Sequence, residues 1–207
     1  MKNICFVLLS MCSFTVTFAC KYPYQEDVVY EYSLGKHPHI TLLNTVGPIA
    51  FESSAQEKVV IYTYKYAQTQ ENLARLKIFF DKKDTALTIK SHNLSHDPIG
   101  YKIIAPCASS VFVNVEHSTS VGLNFLAGMF KKFKISIQAG DISLELPEPS
   151  NTHMQVETKK GKLCNVPKKL NIGMHRSTWD GDMIDGVLGA KTNSLELYTA
   201  NGDIIFQ

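Results

Sequence analysis

Ile135-Ser136-Ile137-Gln138-Ala139-Gly140-Asp141-Ile142-Ser143-Leu144-Glu145-Leu146 decides how this chain folds. Apolar and polar side chains alternate on both sides of one glycine, the period of a strand with a buried face. Glycine at the break allows the positive φ that a sharp bend demands. The aspartate behind it can bond nearby backbone and steady the turn. The unit is a strand, a glycine corner and a second strand.

The unit recurs. Glycines at 140, 161, 181 and 202 are 21, 20 and 21 residues apart, and Ile142, Leu163, Met183 and Ile204 each follow two residues later. Asp141, Asp182 and Asp203 follow three of the four, while Lys162 follows Gly161. Leu195 and Leu197 precede Gly202, and Ile204 and Phe206 follow it. The copy at Gly161 loses its alternation between Leu163 and Val166, and the copy at Gly181 has few strand formers. A unit of this kind cannot bury its apolar face alone, and a period near 20 is that of stacked β-coils. The expectation is an all-β fold, a β-solenoid-like stack of strand–glycine–strand units. The alternative is an antiparallel β-sandwich, because Asp180-Gly181 and Asn201-Gly202 are also hairpin signals.

The first half carries more strand signals: His39 to Leu42, Asn44 to Phe51 around Gly47, and the β-branched and aromatic run Val59 to Tyr66. Leu76, Ile78 and Phe80, then Leu87 and Ile89, frame a hairpin with its turn at Asp81-Lys82-Lys83-Asp84. Residues 69–77 are the one helix candidate, read as a short connector. Pro106 ends a strand, and Val111, Val113 and Val115 alternate. The tyrosine-rich lead at 20–36 is a tether or a first edge strand, and 37–207 is the repeat domain.

Residues 1–19 begin with Lys2, run apolar from Ile4 and end on Ala19, the pattern of a secretory signal peptide. The run lacks the basic flank that stops transfer. The expected location is outside the cytoplasm: periplasm, outer membrane if lipidated, or secreted. Cys20 follows the cut site and is a candidate for lipidation, although Thr17-Phe18-Ala19 departs from the lipoprotein pattern at two of three positions. Cys107 and Cys164 then remain, either as a disulfide or as two buried apolar side chains.

Of 207 residues, 44% are hydrophobic and 19% charged, with formal charge +2. That is a globular composition. The basic residues are scattered, and Lys131-Lys132-Phe133-Lys134 reads as the start of a strand, so no nucleic-acid footprint exists.

Asn44-Thr45-Val46-Gly47-Pro48-Ile49, Gln138 to Leu144, and Gly189 to Ile204 resemble the bacterial putative-adhesin families, envelope proteins whose strand repeats carry a glycine–aspartate–isoleucine motif. The likeness spans about residues 36–207. It implies a β-solenoid-like domain exported to the envelope. Pro48 after Gly47 and Lys162 after Gly161 depart from the motif.

No serine elbow, phosphate loop or paired carboxylates stand out, and no cofactor motif does. His37 and His39 flank Pro38, and His92 and His96 lie beside Asp97, but neither pair has a completed ligand set. His117, His153 and His175 stand without obvious partners. One aspartate per repeat is too sparse for calcium-binding coils. Asp180, Asp182 and Asp185 around Trp179 form the densest acidic group. The reading is a non-enzymatic binding, adhesion or structural module with a protein or glycan partner. The competing reading is a β-solenoid enzyme or binder acting on envelope polysaccharide. The final strand from Asp203 to Gln207 is expected to be an open edge that receives a partner strand.

Overall fold

The structure is a computed structural model that describes residues 22–92, 97–118, 120–125, 128–147 and 150–207. The signal segment, Cys20 and His96 lie outside the described residues.

In chain order the strands are β1 (Tyr24–Ser33), β2 (His39–Val46), β3 (Ile49–Ser54), β4 (Lys58–Ala67), β5 (Lys77–Lys83), β6 (Ala86–His92), β7 (Ile99–Pro106), β8 (Ser110–His117) and β9 (Val121–Asn124). They continue with β10 (Lys132–Ala139), β11 (Ile142–Glu145), β12 (Thr152–Thr158), β13 (Leu163–Cys164), β14 (Asn171–Ser177), β15 (Asp182–Leu188), β16 (Asn193–Thr199) and β17 (Ile204–Phe206). Between β4 and β5 lies one helix, α1 (Gln70–Arg75), whose N-terminus is capped by the Thr69 side chain accepting from Asn72 N–H.

Two mixed sheets result. The first runs β1-β4-β7-β3-β9-β11-β17-β13, and the second β14-β15-β12-β16-β10-β8-β2-β6-β5. Six units contribute one strand to each sheet: β6–β7, β2–β3, β8–β9, β10–β11, β16–β17 and β12–β13. Neighbouring units pair in parallel, so Ile135 lies between Val113 and Leu197, and Ile142 lies between Val121 and Ile204. Inward side chains from both sheets form one continuous buried core. Phe133 of β10 meets Phe51 of β3 edge-on at 5.3 Å between centroids. At one end of the stack Tyr30 of β1 packs on Phe80 of β5 at 4.4 Å.

The units stack, but not in chain order, so the chain does not wind as a simple solenoid. β16–β17 inserts between β10–β11 and β12–β13. Its alternation is complete, with Leu195, Leu197, Ile204 and Phe206 buried, and it needs cover on both sides. β13 has only two residues and suits the end of the sheet. The antiparallel sandwich is not found either: the centre is parallel, and antiparallel pairs lie toward the ends, as β1–β4–β7, β5–β6 and β12–β15–β14.

The corners explain the repeat. Backbone bonds run through them: Gly47 N–H to His117 O, Ser118 N–H to Ala139 O, Gly140 N–H to Asn201 O, and Gly202 N–H to Lys160 O. Gly140 has φ +137° and Gly202 φ +152°. A Cβ on Gly140 would lie 2.2 Å from Ser118 O, and one on Gly202 would lie 2.2 Å from Gly140 O. Hydroxyls of one unit satisfy the corner carbonyl of the unit before it: Ser118 Oγ to Gly47 O at 2.9 Å, Thr199 Oγ1 to Gly140 O at 3.0 Å, and Thr158 Oγ1 to Gly202 O at 2.7 Å.

The aspartates form a second ladder. Asp141 Oδ1 accepts from Asp203 N–H at 2.8 Å, and Asp203 Oδ1 accepts from Lys162 N–H at 2.8 Å. Among the described residues no further corner between the sheets stacks beyond Lys162, so there is no corner N–H for a side chain at that position to accept from and aspartate is not required there. Pro48 has no N–H to satisfy. Asp141→Ala is expected to lose about 1 kcal/mol of stability in urea unfolding, whereas Lys162→Ala changes it by less than about 0.5 kcal/mol. Equal losses would sink the ladder.

Four expectations are corrected here. Gly181 is not a corner between sheets. It closes the turn between β14 and β15, where Thr178 N–H donates to Gly181 O at 2.9 Å. The hairpin turn is Asp84-Thr85, with Asp84 at φ +49°, and residues 81–83 belong to β5. Cys107 follows β7 and Cys164 lies in β13, five strands apart in the first sheet. That is about 24 Å at ordinary strand spacing, beyond the reach of a disulfide. Cys107 Sγ instead faces the carbonyls of Ser54 and Gly128, at 3.4 and 3.7 Å. Finally, the last strand is not an open edge: β17 pairs with β11 on one side and β13 on the other, with Ile204 and Phe206 buried.

Candidate binding face

Corner glycines and aspartates sit at the bend between the sheets and serve the backbone. Function is left to exposed side chains, and the outward positions of the second sheet gather them. Because its central strands are parallel and in register, outward residues align in rows across it. One row reads Phe112, Lys134, Glu196, Gln155, Asp185, Met174. The next reads Ser136, Tyr198, Glu157, Met183, Arg176.

Neighbours along the rows are coupled. Lys134 Nζ lies 2.7 Å from a Glu196 carboxylate oxygen and 5.8 Å from the centre of the Phe112 ring. Gln155 Nε2 donates to Asp185 Oδ2 at 3.0 Å, and His153 Nε2 lies 2.9 Å from Asp185 Oδ1. Lys159 Nζ lies 5.7 Å from the centre of the Tyr198 ring. Between the rows is a shallow open depression of about 380 Å³, lined by Lys134, Gln155, Glu157, Glu196 and Tyr198. A second one, of about 230 Å³, adjoins it through Glu157 and Met183 and adds Lys159, Arg176 and Asp180. Both signs of charge alternate with amide, phenol and thioether groups. Such a surface suits a polar partner that supplies donors and acceptors, and it is not the one-signed stripe that follows a phosphate backbone.

The three aspartates near Trp179 do not converge. Asp185 belongs to the row above. Asp182 accepts from Ser177 Oγ and, through Oδ2, from Leu163 N–H at 3.1 Å. Asp180 lies at the exposed turn beside Trp179, which is 95% exposed. Among the described residues no group of three histidine, cysteine, aspartate or glutamate side chains is placed to hold a metal. His37, His39, His92 and His117 are exposed. Among the described residues no helix is long and apolar enough to cross a membrane.

The Ser177 hydroxyl holds the Asp182 carboxyl below its ordinary value of 3.8, with help from Leu163 N–H and the charges of His175 and Lys162. The Gln155 amide, then His153, does the same for Asp185. A carboxyl depressed in the folded state stabilises above its unfolded pKa, and that contribution is lost as pH falls through the folded pKa. Melting temperature is therefore expected to fall below about pH 4. The difference between the wild type and the Asp185→Asn variant should shrink over the same interval. A difference that stays constant down to about pH 2.5 would remove Asp185 from the acid response.

Sequence reading missed this face. Alternation marks Gln155, Glu196 and Tyr198 as outward, but only the stack order brings them side by side.

Fold and face together define an all-β protein of two mixed sheets, joined by stacked glycine corners and bearing a polar outer face. No family model matches the sequence, and no curated protein does. Among solved structures the fold is similar to a putative cell adhesion protein from Clostridium sporogenes, with TM-score 0.49 and 12% identity over 88% of this chain and 99% of that one. It is also similar to a putative adhesin from Bacteroides fragilis, with TM-score 0.28 and 12% identity over 89% and 99%. A putative adhesin from Parabacteroides distasonis gives TM-score 0.28 and 9% identity over 88% and 97%. At such distances no residue role transfers.

Proposed function

We propose that this chain is an exported module of the bacterial cell envelope that binds or adheres through the outer face of its second sheet, without catalysis. The observation that carries this is the pair of adjoining depressions across β10, β16, β12, β15 and β14, lined by polar groups of both signs around Tyr198. A protein or a glycan of the envelope is the partner, met by amide, carboxylate and lysine groups with an aromatic ring among them. The repeat aspartates are committed to backbone amides, which argues against their catalytic use.

Export rests on the signal pattern of residues 1–19. Tyr22 is buried, its ring 6.5 Å from that of Tyr66, and β1 begins at Tyr24. A chain that starts at Cys20 therefore keeps every described residue. If Cys20 carries lipid, the domain sits against the membrane with no spacer.

Two measurements test the reading. The mature product, made in a Gram-negative host, is expected to start at Cys20. Its intact mass and fractionation separate a lipidated product from a soluble one, and retention of residues 1–19 would overturn export by this route. Surface glycans and envelope proteins are then screened for binding. Tyr198→Ala with Gln155→Ala should weaken capture at least about ten-fold with only a small fall in melting temperature, from the lost bond between Gln155 and Asp185. Unchanged capture would remove the face, and glycan turnover dependent on Glu157 and Glu196 would replace the binding reading with the enzymatic one.

A further inference from the structure

Between Thr158 and Trp179 the chain carries six cations, Lys159, Lys160, Lys162, Lys168, Lys169 and Arg176, and no carboxylate. All other residues together carry fifteen lysines and arginines against nineteen carboxylates, so the positive formal charge resides in this one segment. All six cations are exposed. Cations elsewhere are met by acids: Lys58 by Glu31, Lys65 by Glu26, Lys83 by Asp81 and Lys134 by Glu196. Lys160, Lys162, Lys168 and Arg176 make no ion pair among the described residues.

The fold makes this segment one end of the molecule. β13 is the last strand of the first sheet, β14 is the last of the second at the same end, and residues 165–170 cross between them. The turn that carries Trp179 is seated on the corner that carries Lys159 and Lys160: a Cβ on Gly181 would lie 2.1 Å from Thr158 O and 2.6 Å from Lys159 O. Large apolar groups stand exposed on the same segment, Trp179 at 95%, Met174 at 47% and Ile172 at 40%. Lysine and arginine are drawn to the anionic headgroups of a bilayer, and indole settles where headgroups meet acyl chains. A soluble polyanion would engage the cations and leave Trp179 in water, so a lipid surface is the partner that uses both sets.

We propose that this end of the stack, from Lys159 to Trp179, docks on an anionic lipid bilayer, with its lysines on the headgroups and Trp179 at the boundary with the acyl chains. β1, where the described chain begins, lies at the opposite edge of the first sheet, so the contact is separate from any anchor at Cys20. With the stack standing on this end, the outer face of β10, β16 and β12 stays open to its own partner.

The mature chain with Cys20→Ser, which can carry no acyl group there, is sedimented with vesicles of phosphatidylcholine alone and of phosphatidylcholine with about one third phosphatidylglycerol. Binding is expected on the mixed vesicles only, and should fall as salt rises from about 0.05 to 0.5 M. Lys160→Gln with Lys168→Gln should lower the partition coefficient at least about ten-fold, and Trp179→Ala at least about five-fold. Lys82→Gln with Lys83→Gln in β5, at the far edge of the second sheet, is the control and should change it less than about three-fold. All these side chains are exposed, so the melting temperature should move by no more than about 3 °C. No binding to the mixed vesicles overturns the proposal, as does equal binding to neutral ones or an equal loss in the control pair. Binding to dextran sulfate that matches the mixed vesicles and ignores Trp179→Ala would replace the lipid with an anionic polymer. Lys160, Lys168 and Trp179 line neither depression, so this outcome is separate from that of the binding face.

Discussion

Alanine at Gly202 is expected to destabilise the protein by about 3 to 5 kcal/mol, among the most severe single substitutions it can carry. Two effects combine. The φ of +152° is one that side chains rarely adopt. The added Cβ would also lie 2.2 Å from Gly140 O and 2.6 Å from its carbonyl carbon, and backbone cannot step aside as a flexible side chain can. Relief requires the stacked corners to part, which lengthens the bonds from Gly140 N–H to Asn201 O and from Thr199 Oγ1 to Gly140 O. The internal control is Gly122→Ala in β9, where a Cβ meets nothing within 4 Å. Its effect should stay within about 0.5 kcal/mol. Equilibrium urea unfolding of both variants checks the contrast, and similar losses would mean that the corners are not close-packed.

Phe133→Ala should cost about 3 to 5 kcal/mol, by lost transfer energy and by the cavity it leaves. Phe133 is fully buried. Its ring lies edge-on to Phe51 at 5.3 Å and to Phe125 at 5.9 Å, and stacks on Phe130 at 5.6 Å. Phe51 comes from the first sheet and Phe133 from the second, so this cluster joins the layers. Phe133→Leu keeps much of the volume and should lose far less. Phe112, on the same sheet but facing outward and 45% exposed, is the comparison. A loss at Phe133 no larger than at Phe112 would show that the aromatic cluster does not hold the sheets together.

Strand content, the helix position and the hairpin over 76–89 were legible because each depends on residues close in sequence. Alternation, a capping threonine and a turn-forming aspartate act locally. The glycine register was legible too, although its full meaning was not. Thr199 and Thr158 stand three residues before Gly202 and Gly161, a spacing that local rules do not explain. Its purpose is visible only when the carbonyl that each hydroxyl satisfies is seen in the neighbouring unit.

The amino-acid sequence by itself determined that the chain is all-β, where its strongly alternating strands lie, and that glycine corners recur. Those follow from period-two burial and from the φ that glycine alone tolerates. Tertiary structure alone decided the order of the stack, the burial of the last strand between β11 and β13, the separation of Cys107 from Cys164, and the alignment of Lys134, Glu196, Gln155 and Asp185 in one row. The physical reason is that parallel units with equivalent apolar faces are interchangeable to local interactions. Which unit lies beside which is settled by the cover each needs: β16–β17, with Leu195, Leu197, Ile204 and Phe206 buried on its inner face, lies inside, and β12 with its two-residue partner strand lies beyond it, where β15 and the exposed β14 finish the sheet.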